Sequence, residues 1–259
     1  MLIRLNRGRG FLLAVLWILA VGGCSGKGVL APDASSEKPP VMIQAIRENE
    51  RIIATAHIDV VSAQGHYPVK AALILQKPSY LRFELLPVIG TPDLFLTATP
   101  SEMNIFIPSK GEFYSGKPTA RNLAHFLPWS LGIGDMVMIF SGAYPSLSGN
   151  KVSYENSHED QALNVSMKST SGESQVVWFT KEGRISKLIR RGMDGKEIYR
   201  AFYEDYPPDA RLAGKITIRM ADELTSVSVR YSDVLIETAG DRSVFELTAP
   251  AGSKIIQLN

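Results

Sequence analysis

Residues 81–96 read LRFELLPVIGTPDLFL, two strand-like runs joined by a turn of unusual composition. Leu81, Phe83 and Leu85 fall on one side of an extended chain and Arg82 and Glu84 on the other, the period-two pattern of a strand with one buried face. Pro87, Gly90 and Pro92 mark the turn, yet Val88 and Ile89 put two aliphatic side chains at its tip, where water-tolerant residues normally sit. Either the pair folds back to cap an apolar interior, or it projects toward an apolar partner outside. The second reading expects both side chains to stand out from the loop.

The same alternation recurs along the chain. Met103, Ile105 and Ile107 repeat it, followed by Leu163, Val165 and Met167, then Val177 and Phe179, then Ile216, Ile218 and Met220, then Val227, Val229 and Tyr231. KEGR at 181–184 and MDGK at 193–196 read as tight turns, each with a glycine for the positive φ that such a turn demands. Helical spacing is confined to three places: 41–51 (VMIQAIRENER), 118–126 (PTARNLAHF), which opens on a proline suited to a first turn, and 135–140 (DMVMIF), stopped by Gly142. A long sheet with an uncovered apolar face aggregates, so it has to curl over its own helices. The expected architecture is mainly β (α+β): a half-open antiparallel β-barrel of about ten or eleven strands, with an N-terminal helix and a mid-chain helical lid or plug.

The start of the chain reads as an export signal. Arg4, Arg7 and Arg9 precede an apolar run at 11–20 (FLLAVLWILA), and Val21, Gly22 and Gly23 supply small residues before Cys24. The apolar run is about half the ~20 residues that a bilayer crossing needs. Residues 25–40 (SGKGVLAPDASSEKPP) have the composition of a flexible tether. The chain thus divides into a signal at 1–23, a tether at 24–40 and a domain at 41–259. The signal removes three of the 28 basic residues against 26 acidic ones, so the remainder is close to neutral and no nucleic-acid partner is implied. Arg190 and Arg191 read as a solvated strand edge.

Chemistry is sparse. His57, His66, His125 and His158 are scattered, Cys24 is the only cysteine, and neither a metal-ligand spacing nor a nucleophile elbow, phosphate loop or dinucleotide fingerprint occurs. Gly132 and Gly134 alone carry no such meaning. No enzyme, metal or cofactor is expected, although a hydrolase using unpatterned carboxylates stays open as a third reading.

Taken together, the small residues before Cys24, the tether, the PVIG turn and the segment from Tyr114 through PTARNLAHFLPWSLGIGDMVMIFSGAYP resemble the LolB-type outer-membrane lipoprotein receptors, and FELTAPAGSKII at 245–256 resembles the closing strand of LolA-type carriers. The resemblance implies a lipid-bearing Cys24 at the head of the mature protein, Ser25 directing it to the outer membrane, and a half-open barrel whose cavity takes acyl chains. It implies lipoproteins or lipids as cargo, a periplasmic LolA-like carrier as donor and the outer membrane as destination, with the protein acting as a monomer. It also assigns the turn pair, Ile89 first and Val88 next, to a loop that helps insert lipoproteins into the membrane, although this turn has one more residue between Pro and Gly than the family pattern.

The residues expected to line the cavity are Leu81, Phe83, Leu85, Met103, Ile105, Met136, Met138 and Ile139. Each methylene transferred from water into such a slot is worth about 0.8 kcal/mol, and unbranched methionines suit a wall that adapts to its guest. A solid core built from the same residues is the alternative. It would suit a structural or assembly lipoprotein of the envelope that docks partners by strand addition without carrying lipid.

Overall fold

The computed structural model describes residues 46–127, 129, 131–159 and 162–259. Among them the alternating stretches form one sheet of fourteen strands: β1 (Glu50–Ser62), β2 (Gly65–Gln76), β3 (Tyr80–Leu86), β4 (Leu94–Ala98), β5 (Met103–Ile107), β6 (Glu112–Gly116), β7 (Val152–Glu159), β8 (Ala162–Ser169), β9 (Ser174–Phe179), β10 (Ile185–Arg191), β11 (Glu197–Glu204), β12 (Lys215–Met220), β13 (Ser226–Thr238) and β14 (Lys254–Leu258). Two meanders make the sheet, β1 to β6 and β7 to β13, and the pairing of β13 with β1 joins them. β14 then lies parallel beside β6, while every other pair is antiparallel. The edge strands β14 and β7 do not pair with each other, so the sheet is open. It is not the barrel of ten or eleven strands expected above. The extra strands include runs such as β7 (VSYENSHE), which alternates too weakly to be counted from sequence.

Antiparallel pairing sorts the turns into two groups. Val61 pairs with Ser226, Ser62 with Gly65, Lys70 with Leu86 and Tyr199 with Met220. These registers place the β1–β2, β3–β4, β10–β11 and β12–β13 turns at one end of the sheet, here called the mouth. The β2–β3, β4–β5, β9–β10 and β11–β12 turns lie at the far end.

Inward-facing side chains pack against two helices, α1 (Ala120–Leu123) and α2 (Ile133–Phe140). Met136, Val137, Ile139 and Phe140 of α2 are buried against the inner face, and α2 is called the plug from here on. α1 is a single turn rather than a helix over 118–126. Its cap, Thr119, accepts the N–H of Asn122, and 124–126 continue as a turn, with the Phe126 and Leu127 N–H groups both donating to the Leu123 carbonyl at 3.0 Å.

The N-terminal helix expected at 41–51 is not formed by its described part, since Ile46 is buried, residues 47–49 turn and β1 begins at Glu50; residues 41–45 lie outside the described residues. Glu50 closes that turn, its carboxylate accepting the N–H of Arg47 at 2.8 Å and its own N–H donating to the Arg47 carbonyl. Ile52, Ala54, Ala56, Ile58 and Val60 alternate strictly from there, and that burial outweighs local helical spacing.

On the outer face, residues after β13 return across β3. Phe245 is buried beside Tyr80, ring centroids 5.4 Å apart, and the Arg82 guanidinium donates to the Val244 carbonyl while pairing with Glu84 at 2.6 Å. The polar side of the opening stretch is therefore partly roofed.

Candidate functional site

The second meander holds the plug by polar groups. Tyr231 donates to the Phe140 carbonyl at 2.6 Å, Tyr203 to Ala143 at 2.9 Å, the Gln175 amide to Pro145 at 2.8 Å and Arg190 to Ser146 at 3.2 Å. Tyr199 donates to the Asp135 carboxylate at 2.7 Å. Burial raises the Asp135 carboxyl above its ordinary range and pushes all three phenols up, so the phenols stay protonated donors at neutral pH. Toward the first meander the plug offers apolar side chains. There the Trp129 indole N–H donates to the Met136 sulfur at 3.5 Å.

At the mouth the packing is incomplete. Val60, Val69, Phe83 and Leu85 of β1, β2 and β3 face Phe126, Leu127 and Trp129 across an open groove of about 460 Å³. On the other side of Phe126 a second groove of about 460 Å³ runs between Leu94, Ile107, Tyr114 and Leu258. Phe126 stands edge-on to Tyr114, centroids 4.7 Å apart, and divides the two. Each volume is in the range of about 300–1,000 Å³ occupied by small-molecule sites. The first groove has almost no polar lining beyond Gln64 and His125, so what it can do is remove hydrocarbon from water. A cleft of about 600 Å³ on the outer face is of another kind, with Arg82, Glu84 and Asp233 among its walls.

The turn that opened the reading stands at the edge of this groove. Leu85 lines the groove, and its carbonyl accepts the N–H of Asp93 at 3.0 Å, which closes the base of the loop. Beyond that closure Val88 is 101% exposed and Ile89 89%, and Gly90 takes φ +106°, a conformation open to glycine. The pair projects and does not cap the interior. Exposure does not rank Ile89 above Val88.

The residues expected to line a cavity are divided by the structure. Phe83 and Leu85 line the groove, whereas Leu81, Met103, Ile105, Met136 and Ile139 are packed into the closed core and Met138 is half-buried. Cys24 lies outside the described residues. Sequence reading missed Val60, Val69, Phe126 and Trp129; the first two continue an alternating pattern, but nothing in the sequence indicates which end of a strand stays uncovered. Among the described residues no three His, Cys, Asp or Glu side chains gather to hold a metal ion, and no helix is long and apolar enough to cross a membrane.

No protein-family model and no curated relative matches the chain. Solved structures do. A LolA superfamily protein from Nitrosomonas europaea superposes with a TM-score of 0.56 at 12% identity, covering 80% of this chain and 94% of its own. The fold is LolA-like. A putative outer membrane lipoprotein-sorting protein domain from Vibrio parahaemolyticus gives a TM-score of 0.54 at 15% identity over 78% of this chain and 91% of its own. A DUF1329 family protein from Desulfovibrio piger gives 0.57 at 10% over 78% and 92%. At such identities the LolA-like likeness is one of fold.

Proposed function

We propose that the protein is a lipid-anchored component of the bacterial outer membrane that takes acyl chains of lipids or lipoproteins into the mouth groove and helps insert them into the bilayer, in the manner of a LolB-type receptor supplied by a LolA-like carrier. The observation that carries this reading is the adjacency of an apolar groove and a fully exposed aliphatic pair, joined through Leu85. Hydrocarbon entering the groove gains about 0.8 kcal/mol per methylene, and Val88 and Ile89 each gain about 1.5–3 kcal/mol on leaving water for a membrane. The work is transfer by burial, without bond chemistry. The LolA-like fold supports a lipid-carrying role, and the signal, Cys24 and the tether support the location. The test is a delivery assay in which an acylated protein, presented by its carrier, moves into vesicles bearing this protein. Delivery that needs the protein supports the reading; delivery at the same rate without it overturns the reading.

A second reading has one observation behind it. Among the described residues β7 is an edge of eight residues paired with β8 on one side, and it can accept an added strand from an envelope partner. An assembly lipoprotein working that way would leave the groove empty of lipid.

A further inference from the structure

Aliphatic tips are not confined to the PVIG turn. Met193, in the β10–β11 turn, is 73% exposed, Leu224, in the β12–β13 turn, 62%, and Ile198, at the start of β11, 39%. The Ala221 N–H donates to the Ile198 carbonyl at 3.0 Å and ties the two turns together. Each turn is braced from within, Asp194 accepting the N–H of Lys196 and Asp222 accepting those of Leu224 and Thr225. The side chains are thus held out by locked turns. Both turns lie at the mouth, as do Val61 and Tyr67, the other exposed large hydrophobics of β1 and β2. The far-end turns contrast with this. Among the described residues, 77–79, 99–102, 180–184 and 205–214 carry no exposed large hydrophobic, and Leu212 is buried.

We propose that Met193, Ile198 and Leu224 form a second foot that rests on a phospholipid bilayer, so that the domain docks end-on with Val88 and Ile89 as the first foot. Single exposed aliphatics are ordinary on a protein surface, as at Val234 and Leu235 of β13, but their recurrence at the tips of three mouth turns, with none on the described far-end turns, marks an interaction face. Asp194, Lys196, Asp222 and Glu223 flank the second foot with no excess of positive charge, which fits apolar contact with a zwitterionic surface rather than attraction to an anionic one. The preceding chain allows this pose. Ile46 sits at the far end, the thirteen residues of β1 span about 43 Å, and the stretch from Cys24 to Ile46 reaches about 70–80 Å when extended, enough to pass along the sheet to the same bilayer.

The inference rests on the membrane reading above, and its test separates the two. The whole chain, anchored in phosphatidylcholine vesicles, is labelled with a polarity-sensitive fluorophore at Val88→Cys, Leu224→Cys or Ser101→Cys, the last in the far-end β4–β5 turn, and quenched with doxyl-labelled lipid. In the lipid-anchored chain the Cys24 sulfur already carries the lipid, so each variant offers a single thiol to the label. Quenching several-fold stronger at both 88 and 224 than at 101 is the expected result. Quenching at 88 without 224 overturns the second foot and leaves the first standing. Quenching at neither, or equally at all three, overturns end-on docking altogether.

Discussion

The Tyr199 hydroxyl and the Asp135 carboxylate meet at 2.7 Å where the plug helix crosses β11. Burial raises the Asp135 pKa above the ordinary 3.8, with the Tyr199 hydrogen bond and Arg190 opposing it and Glu173 adding to it. A raised folded-state pKa means that stability is fully present below the unfolded value and is lost as pH rises through the folded one. Asp135→Asn keeps an acceptor for Tyr199 and cannot ionise. Its melting temperature should equal that of the wild type near pH 3.5 and exceed it at pH 8; a gap independent of pH would contradict the assignment.

Tyr203 and Tyr231 hold the plug at its C-terminal end, each through one backbone carbonyl. Replacing either by Phe leaves a carbonyl without its partner at a cost of about 1–3 kcal/mol. Since the bonds fasten the plug to the second meander alone, the double variant should raise amide exchange in 133–146 before it does so in β1 or β13. Hydrogen exchange read by mass spectrometry checks this, and uniform acceleration would argue against a separately fastened plug.

Acid should loosen the far end. Arg211 grips Glu50 with both arms, at 3.0 and 2.6 Å, and holds its carboxyl down to about 2 from an ordinary 4.5. This lowered pKa contributes stability that is present above pH 4.5 and lost as pH falls toward 2. Arg211 is open to water, which keeps the contribution to about 1 kcal/mol or less. Arg211→Ala should lower stability at pH 6 and make no difference at pH 2, as followed by urea denaturation.

Val88 and Ile89 touch nothing that the fold needs. Replacing either by Glu should shift stability by no more than about 0.5 kcal/mol, the range of ordinary surface changes, while cutting delivery several-fold. With both side chains almost fully exposed, the two substitutions should act about equally. A large loss of stability would mean that the loop packs against the sheet after all.

Much of this was legible in the residues because period-two alternation is a local signal. Leu81, Phe83 and Leu85 declared their face, KEGR and MDGK their turns, and 135–140 its place in a helix. Long-range pairing was not legible. Nothing near β14 says that it will run parallel to β6, and the charges of 47–51 look the same on a helix as in a turn clamped by an arginine some 160 residues away. The groove depends on which part of the inner face α1 and α2 leave uncovered, so Met103 and Met136, plausible lining residues by type, are core, while Val60 and Trp129 are wall. Met193 and Leu224 did carry a signal, the same aliphatic residue in a turn that made PVIG conspicuous.

The central claim is that the mouth groove holds hydrocarbon. Native mass spectrometry of the purified chain and of Leu85→Trp, whose indole fills the space between β3 and Phe126, tests it most directly. The account predicts adducts of lipid mass on the wild type that fall at least tenfold in the variant at unchanged melting temperature. A wild type free of lipid, or a variant that carries as much, would contradict it.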